Sequence, residues 1–126
     1  MAFQARANRV KNDLLRYLLE QQRKGRRIAA YGAAAKGNTL LNYAGVKPDL
    51  LPYVVDKSPS KQGQYLPGSH IPILAPEVLR DHPPDEVLIL PWNLREEVMA
   101  QLADLRERGT RFITAIPALK IYNDIH

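Results

Sequence analysis

From Tyr31 the chain runs Gly32-Ala33-Ala34-Ala35-Lys36-Gly37-Asn38-Thr39, a stretch of small residues with one cation inside it. Gly32, Ala34 and Gly37 fit a G-x-A-x-x-G spacing, a variant of the turn that brings backbone N–H groups against a pyrophosphate. Ala34 stands where a second glycine ordinarily allows the closest approach. Ala33 and its small neighbours still leave the N–H groups accessible. A helix starting after the turn aims its positive end at the same phosphate. Lys36 adds a full charge there, and Asn38 and Thr39 add donors in the first helical turn. Asp56 follows Gly37 by 19 residues, where an acidic side chain accepts hydrogen bonds from ribose hydroxyls. The spacing is not that of a Walker loop, because Lys36 precedes Gly37. A packing role competes with the phosphate role, since small residues also let a helix lie close to a strand. The strand-turn-helix context favours the phosphate.

Other polar groups fall on the same edge of the expected sheet. Lys57, Lys61, Gln62 and His70 lie in residues 57–70, rich in Pro, Gly and Ser. Loops of that length are often functional, and a plain solvated loop is the equal alternative. Trp92 and Asn93 follow an apolar run; the indole has the form to stack on a base or sugar, or to wedge a helix entry. There is no H-E-x-x-H, no nucleophile elbow and no triad. Glu96 and Glu97 read as helix N-terminal charge. The chain has no Cys, so it builds neither a disulfide nor a thiolate zinc site. That is compatible with the reducing cytoplasm, the expected location.

These residues need elements to hold them. Short apolar runs at 28–31, 51–55, 71–74, 86–90 and 111–116 predict strands. Pro72 makes the 71–74 strand an edge strand. Helices are predicted over 37–45, stopped by Gly45, and over 76–81, opened by Pro76. A third helix is expected from Asn93 to Gly109, with Asn93 and Glu96 as a capping box and Leu94, Val98, Leu102 and Leu105 on one face. Continuous apolar strands between amphipathic helices argue for a Rossmann-like, doubly wound α/β fold. Its mostly parallel sheet would carry helices on both faces, with the ligand site beyond the strand carboxyl ends.

The formal charge is +5 on 126 residues, and its position matters more than its size. Residues 1–27 carry eight basic side chains against Asp13 and Glu20, and the rest of the chain is near neutral. Arg9, Arg16 and Arg23 recur every seven residues along one helical stripe, with Val10, Leu14, Leu15, Leu18 and Leu19 as the apolar face. Residues 1–26 are therefore expected to form an amphipathic connector helix packed on a domain spanning 27–126. A solvated outer face accounts for the arginines, and binding to phosphates or to an acidic neighbouring domain is the alternative. No zinc-finger spacing or aromatic RNA-binding signature accompanies them, so nucleic acid is not an expected partner. No apolar run approaches the roughly 20 residues of a membrane span.

The string Tyr31 to Asn42 has companions: Tyr53-Val54-Val55-Asp56-Lys57-Ser58-Pro59, Lys61-Gln62-Gly63-Gln64-Tyr65-Leu66-Pro67-Gly68, His70-Ile71-Pro72-Ile73 and Leu90-Pro91-Trp92-Asn93. Together and in this order they closely resemble the C-terminal domain of sugar C-methyltransferases. These enzymes use S-adenosylmethionine, and many methylate a carbon of a nucleotide-linked keto-deoxysugar. The resemblance covers about the whole chain from Val10 to the last strand. It implies a domain that helps hold the nucleotide sugar and closes the active site, with Gly32, Ala33, Lys36, Gly37, Asn38, Asp56, Lys57 and Lys61 as contributors. It also implies that zinc and S-adenosylmethionine belong to upstream domains of the family, in cis or in trans. No cofactor is expected on this domain, and the chain alone is expected to be inert. Two other readings are compatible with the residues: a stand-alone module for NAD or coenzyme A, and a docking or dimerisation domain.

Overall fold

The computed structural model describes residues 2–122. In chain order its elements are α1 (Ala2–Arg23), β1 (Ile28–Tyr31), α2 (Ala35–Ala44), β2 (Val54–Val55), β3 (Ile73–Leu74), α3 (Val78–Asp81) and β4 (Glu86–Ile89). A 3-10 turn (Trp92–Leu94), α4 (Arg95–Gln101), α5 (Ala103–Glu107), β5 (Arg111–Thr114) and β6 (Lys120–Tyr122) follow. The sheet order is β3-β2-β1-β4-β5-β6. All neighbours are parallel except β5 and β6. The chain steps outward from β1 to β3, then returns to place β4 on the other side of β1. That reversal opens a crevice beyond the ends of β1 and β4, where doubly wound folds bind ligands.

The period of two along each strand sorts side chains to opposite faces. Ala30, Val54, Ile73, Leu88 and Ile113 point to the face covered by Leu14 and Leu18 of α1 and Leu41 of α2. Ala29, Val55, Val87, Ile89 and Phe112 point to the other, under Leu79, Val98, Leu102 and Leu105. Helices therefore cover both faces, which is why β1 and β4 are apolar throughout with a single exception, Glu86.

Glu86 opens β4 and is fully buried. Its Oε2 accepts the Tyr17 hydroxyl at 2.5 Å and the Arg111 guanidinium. Arg26 stands 3.8 Å from the same oxygen. The cluster pins α1 to the amino end of the sheet, opposite the crevice. Burial, reinforced by the Glu86 hydrogen bond, holds the Tyr17 phenol well above its ordinary pKa.

Several expected boundaries shift. The buried set of α1 is Leu14, Tyr17, Leu18 and Gln21, a stripe at i, i+3, i+4 and i+7. Leu19 lies off that stripe and is exposed, as are Arg9, Arg16 and Arg23. The strands expected at 51–55 and 71–74 keep only two ladder residues each. The Asn93–Glu96 capping box does not form. Bonds from Leu94 N–H to the Pro91 carbonyl and from Arg95 N–H to that of Trp92 wind the entry as a 3-10 turn. The α4 cap position falls on Leu94, with no side-chain cap, and the helix breaks at Leu102 (φ −107°, ψ 24°). Leu94 stays 42% exposed and does not join Val98, Leu102 and Leu105 in the core. β6 had no apolar or alternating signal to betray it.

Candidate functional site

β1 ends at Tyr31, and the chain turns at once through Gly32, whose φ is 88°. Gly32 is required for a second reason. A Cβ built there would lie 2.6 Å from Cδ of Pro91, the residue that leads away from β4. Gly37 lies in the first turns of α2, and a Cβ there would lie 2.6 Å from Cβ of Leu90. The packing role weighed for the small residues is thus present at both glycines. It brings the N-terminus of α2 down onto the crevice, so packing and anion access are compatible properties of one turn.

Ala34 holds the N-cap position of α2 in an extended conformation, and no side chain caps the helix. The Lys36 ammonium lies 5.9 Å from the centroid of the Trp92 ring. Ala34, Lys36, Trp92 and Asn93 thereby share one pocket of about 330 Å³, floored by Leu90 and Pro91. Its character is cationic and aromatic beside uncapped backbone N–H groups, which suits an anion next to a ring.

Asp56 ends β2 and turns back onto the glycine turn. Its Oδ2 accepts the Ala33 N–H at 2.8 Å, and its Oδ1 accepts the Ser58 N–H at 2.8 Å. The Lys61 ammonium stands 3.9 Å from Oδ2 and donates to the Ala33 carbonyl at 3.4 Å. Gln62 donates to the Asp56 carbonyl. The loop after β2 is thus tied to the glycine turn by a carboxylate and a lysine. Lys57 lines a second pocket with Asp56, Pro91, Leu94, Glu97 and Gln101.

The remaining candidates separate from these two pockets. Asn38 donates to the Pro67 carbonyl at 3.1 Å and accepts the buried Ser69 hydroxyl, and Asn42 donates to the same carbonyl at 2.9 Å. They clip the long loop to α2. The Thr39 hydroxyl donates to the Ala35 carbonyl of its own helix, 3.0 Å away. His70 takes φ 62° and stacks on Tyr65, with ring centroids 4.5 Å apart. Local spacing reads Glu97 only as helix N-terminal charge and does not single out Gln101. They sit four apart on one face of α4, a relation that helical periodicity shows only once the frame of the helix is known. The Gln101 side chain accepts the Tyr31 hydroxyl at 3.1 Å.

The chain has no Cys, and among the described residues no three His, Asp or Glu side chains converge. No described helix is long and apolar enough to cross a membrane.

Comparison with known proteins places the chain in a family. The C-methyltransferase NovU of Streptomyces niveus is 39% identical over 97 residues, which cover 77% of this chain and 23% of that protein. The chain thus spans under a quarter of the relative's length. Residues 1–117 match the family model described as the C-methyltransferase C-terminal domain. A six-stranded doubly wound domain matching that model along nearly its whole length belongs to the C-methyltransferase C-terminal domain family.

Proposed function

We propose that this domain binds the nucleotide-linked sugar that an S-adenosylmethionine-dependent C-methyltransferase methylates at carbon. The observation that carries the reading is the pocket at the start of α2. Uncapped backbone N–H groups, the Lys36 charge and the Trp92 ring meet at the crevice beyond β1 and β4. A diphosphate fits the first two, and a base or sugar ring fits the third. Methyl transfer itself falls to the other parts of such an enzyme. No step of the reaction is assigned to residues of this chain.

An NMR titration of the 126-residue chain with thymidine diphosphate tests the reading. Amides of residues 32–39 should shift in a saturable manner, with NAD and coenzyme A giving weaker responses. Saturating thymidine diphosphate that moved none of these amides, or a stronger response to NAD, would overturn the proposal.

A further inference from the structure

The second pocket of the crevice lies on the α4 side of Gly32 and encloses about 260 Å³. Its chemistry is opposite to that of the Lys36 pocket. Asp56, Glu97 and Gln101 contribute oxygen acceptors, and the single lysine on its rim, Lys57, leaves the lining net negative. A phosphate is repelled from such a lining, whereas hydroxyl groups donate to it. Pro91, Leu94 and Val98 supply apolar lining, the kind of surface against which a sugar ring's C–H face packs. The exposure of Leu94, unexplained by the core, has a purpose if the side chain is one wall of a ligand cleft.

Two of the three acceptor groups are already engaged. The Asp56 oxygens hold the Ala33 and Ser58 N–H groups. Gln101 accepts the Tyr31 hydroxyl through Oε1, which leaves its Nε2 to donate. The Glu97 carboxylate has no hydrogen bond or ion pair to any described residue. It lies on the exposed side of α4 and lines the cleft.

We infer that this cleft holds a neutral, hydroxyl-bearing ring of the ligand, with Glu97 as its specificity-determining hydrogen-bond acceptor and Asp56 as a positioning residue. The inference rests on the nucleotide-sugar reading above and adds a polarity to it. The anion sits at Lys36, and a ring bearing hydroxyl donors sits between Asp56 and α4. Such a ring has two sources in a nucleotide sugar, the pentose and the hexose.

The test uses three probes on the 126-residue chain: inorganic pyrophosphate, uridine diphosphate and glucose 1-phosphate. Pyrophosphate should shift amides 34–38 and leave 94–101 still. One ring-bearing probe should shift both sets, and its identity names the source as pentose or hexose. Glu97→Ala should weaken that probe about tenfold, the loss of one hydrogen bond to a charged acceptor, without weakening pyrophosphate. Thermal melting of the variant checks that the fold is kept. Pyrophosphate shifts centred on 94–101, ring probes that leave those amides still, or unchanged affinity in Glu97→Ala would overturn the inference. If no probe moves 34–38, the nucleotide-sugar reading falls with it; if only the ring effects are missing, that reading stands and this one does not.

Discussion

The Asp56 carboxylate reaches across from the end of β2 to accept the backbone N–H of Ala33 at 2.8 Å. The carboxylate thereby braces the turn that would cradle the phosphate. The same oxygen draws in Lys61, and the other holds Ser58. One side chain therefore sets the shape of the glycine turn and the path of the loop after β2.

Asp56→Asn should then lower stability even without ligand. The side chain is only 15% exposed, and hydrogen bonds to a charged acceptor contribute about 1.5–3 kcal/mol. Urea denaturation of the two proteins measures the loss. An unchanged midpoint would mean that Asp56 serves a ligand alone.

Gly37→Ala tests how the turn is packed. The new methyl would meet Leu90 Cβ, an atom fixed to the backbone of the crevice that has no freedom to swing aside. Overpacking of this kind destabilises by about 1–3 kcal/mol. The tryptophan emission should shift as well, because Trp92 lies two residues beyond Leu90. A variant as stable as the parent would show that α2 stands further from the sheet than described.

Much of this was legible in the chain itself. Apolar runs gave away the four inner strands because both faces of a parallel sheet are buried, and Gly45 marked the end of α2 with φ 74°. The sites that escaped did so for physical reasons. β6 pairs antiparallel at an edge, where exposed Lys120 and Ile121 need no alternation. Asn93 has the type of a helix cap, but Pro91 and Trp92 close the entry with backbone bonds first. The Ala33 partner of Asp56 and the partners of Glu86 and Asn38 lie 23 or more residues away in sequence. No local pattern encodes them.

The ion pair between Arg80 and Asp104 joins α3 to α5 through two contacts of 2.9 Å. The Arg80 hydrogen bond holds the Asp104 carboxyl below its ordinary pKa. Both side chains are nearly half exposed, so solvent screening limits the pair to less than about 1 kcal/mol. Arg80→Ala should cost no more than that at neutral pH. Because the folded-state pKa is the lower one, the contribution is present above the ordinary carboxyl range and is lost as the pH falls from there through the lowered folded value. Parent and variant should converge in acid titrations followed by circular dichroism, and a gap that widened on acidification would contradict this.

The buried cluster at the other end of the sheet gives the largest expected effect. Glu86→Ala would leave Arg111 and the Tyr17 hydroxyl without their partner, and breaking a buried pair from one side costs about 3–5 kcal/mol. Replacing Glu86 and Arg111 together by leucine should recover most of that loss, since the desolvation of both charges is removed with them. Tyr17→Phe isolates the phenol. Its raised pKa means the folded state binds the proton more tightly than the unfolded chain does. The resulting stability is complete below about pH 10, the ordinary phenol value, and is lost as the pH climbs from there through the folded value. The stability gap between parent and Tyr17→Phe should therefore be constant from neutrality to about pH 10 and shrink above it. Urea midpoints taken across that range decide the matter. A gap that grew in alkali would show the Tyr17 hydroxyl ionised and stabilised by Arg111, the reverse of the arrangement in which it donates to Glu86.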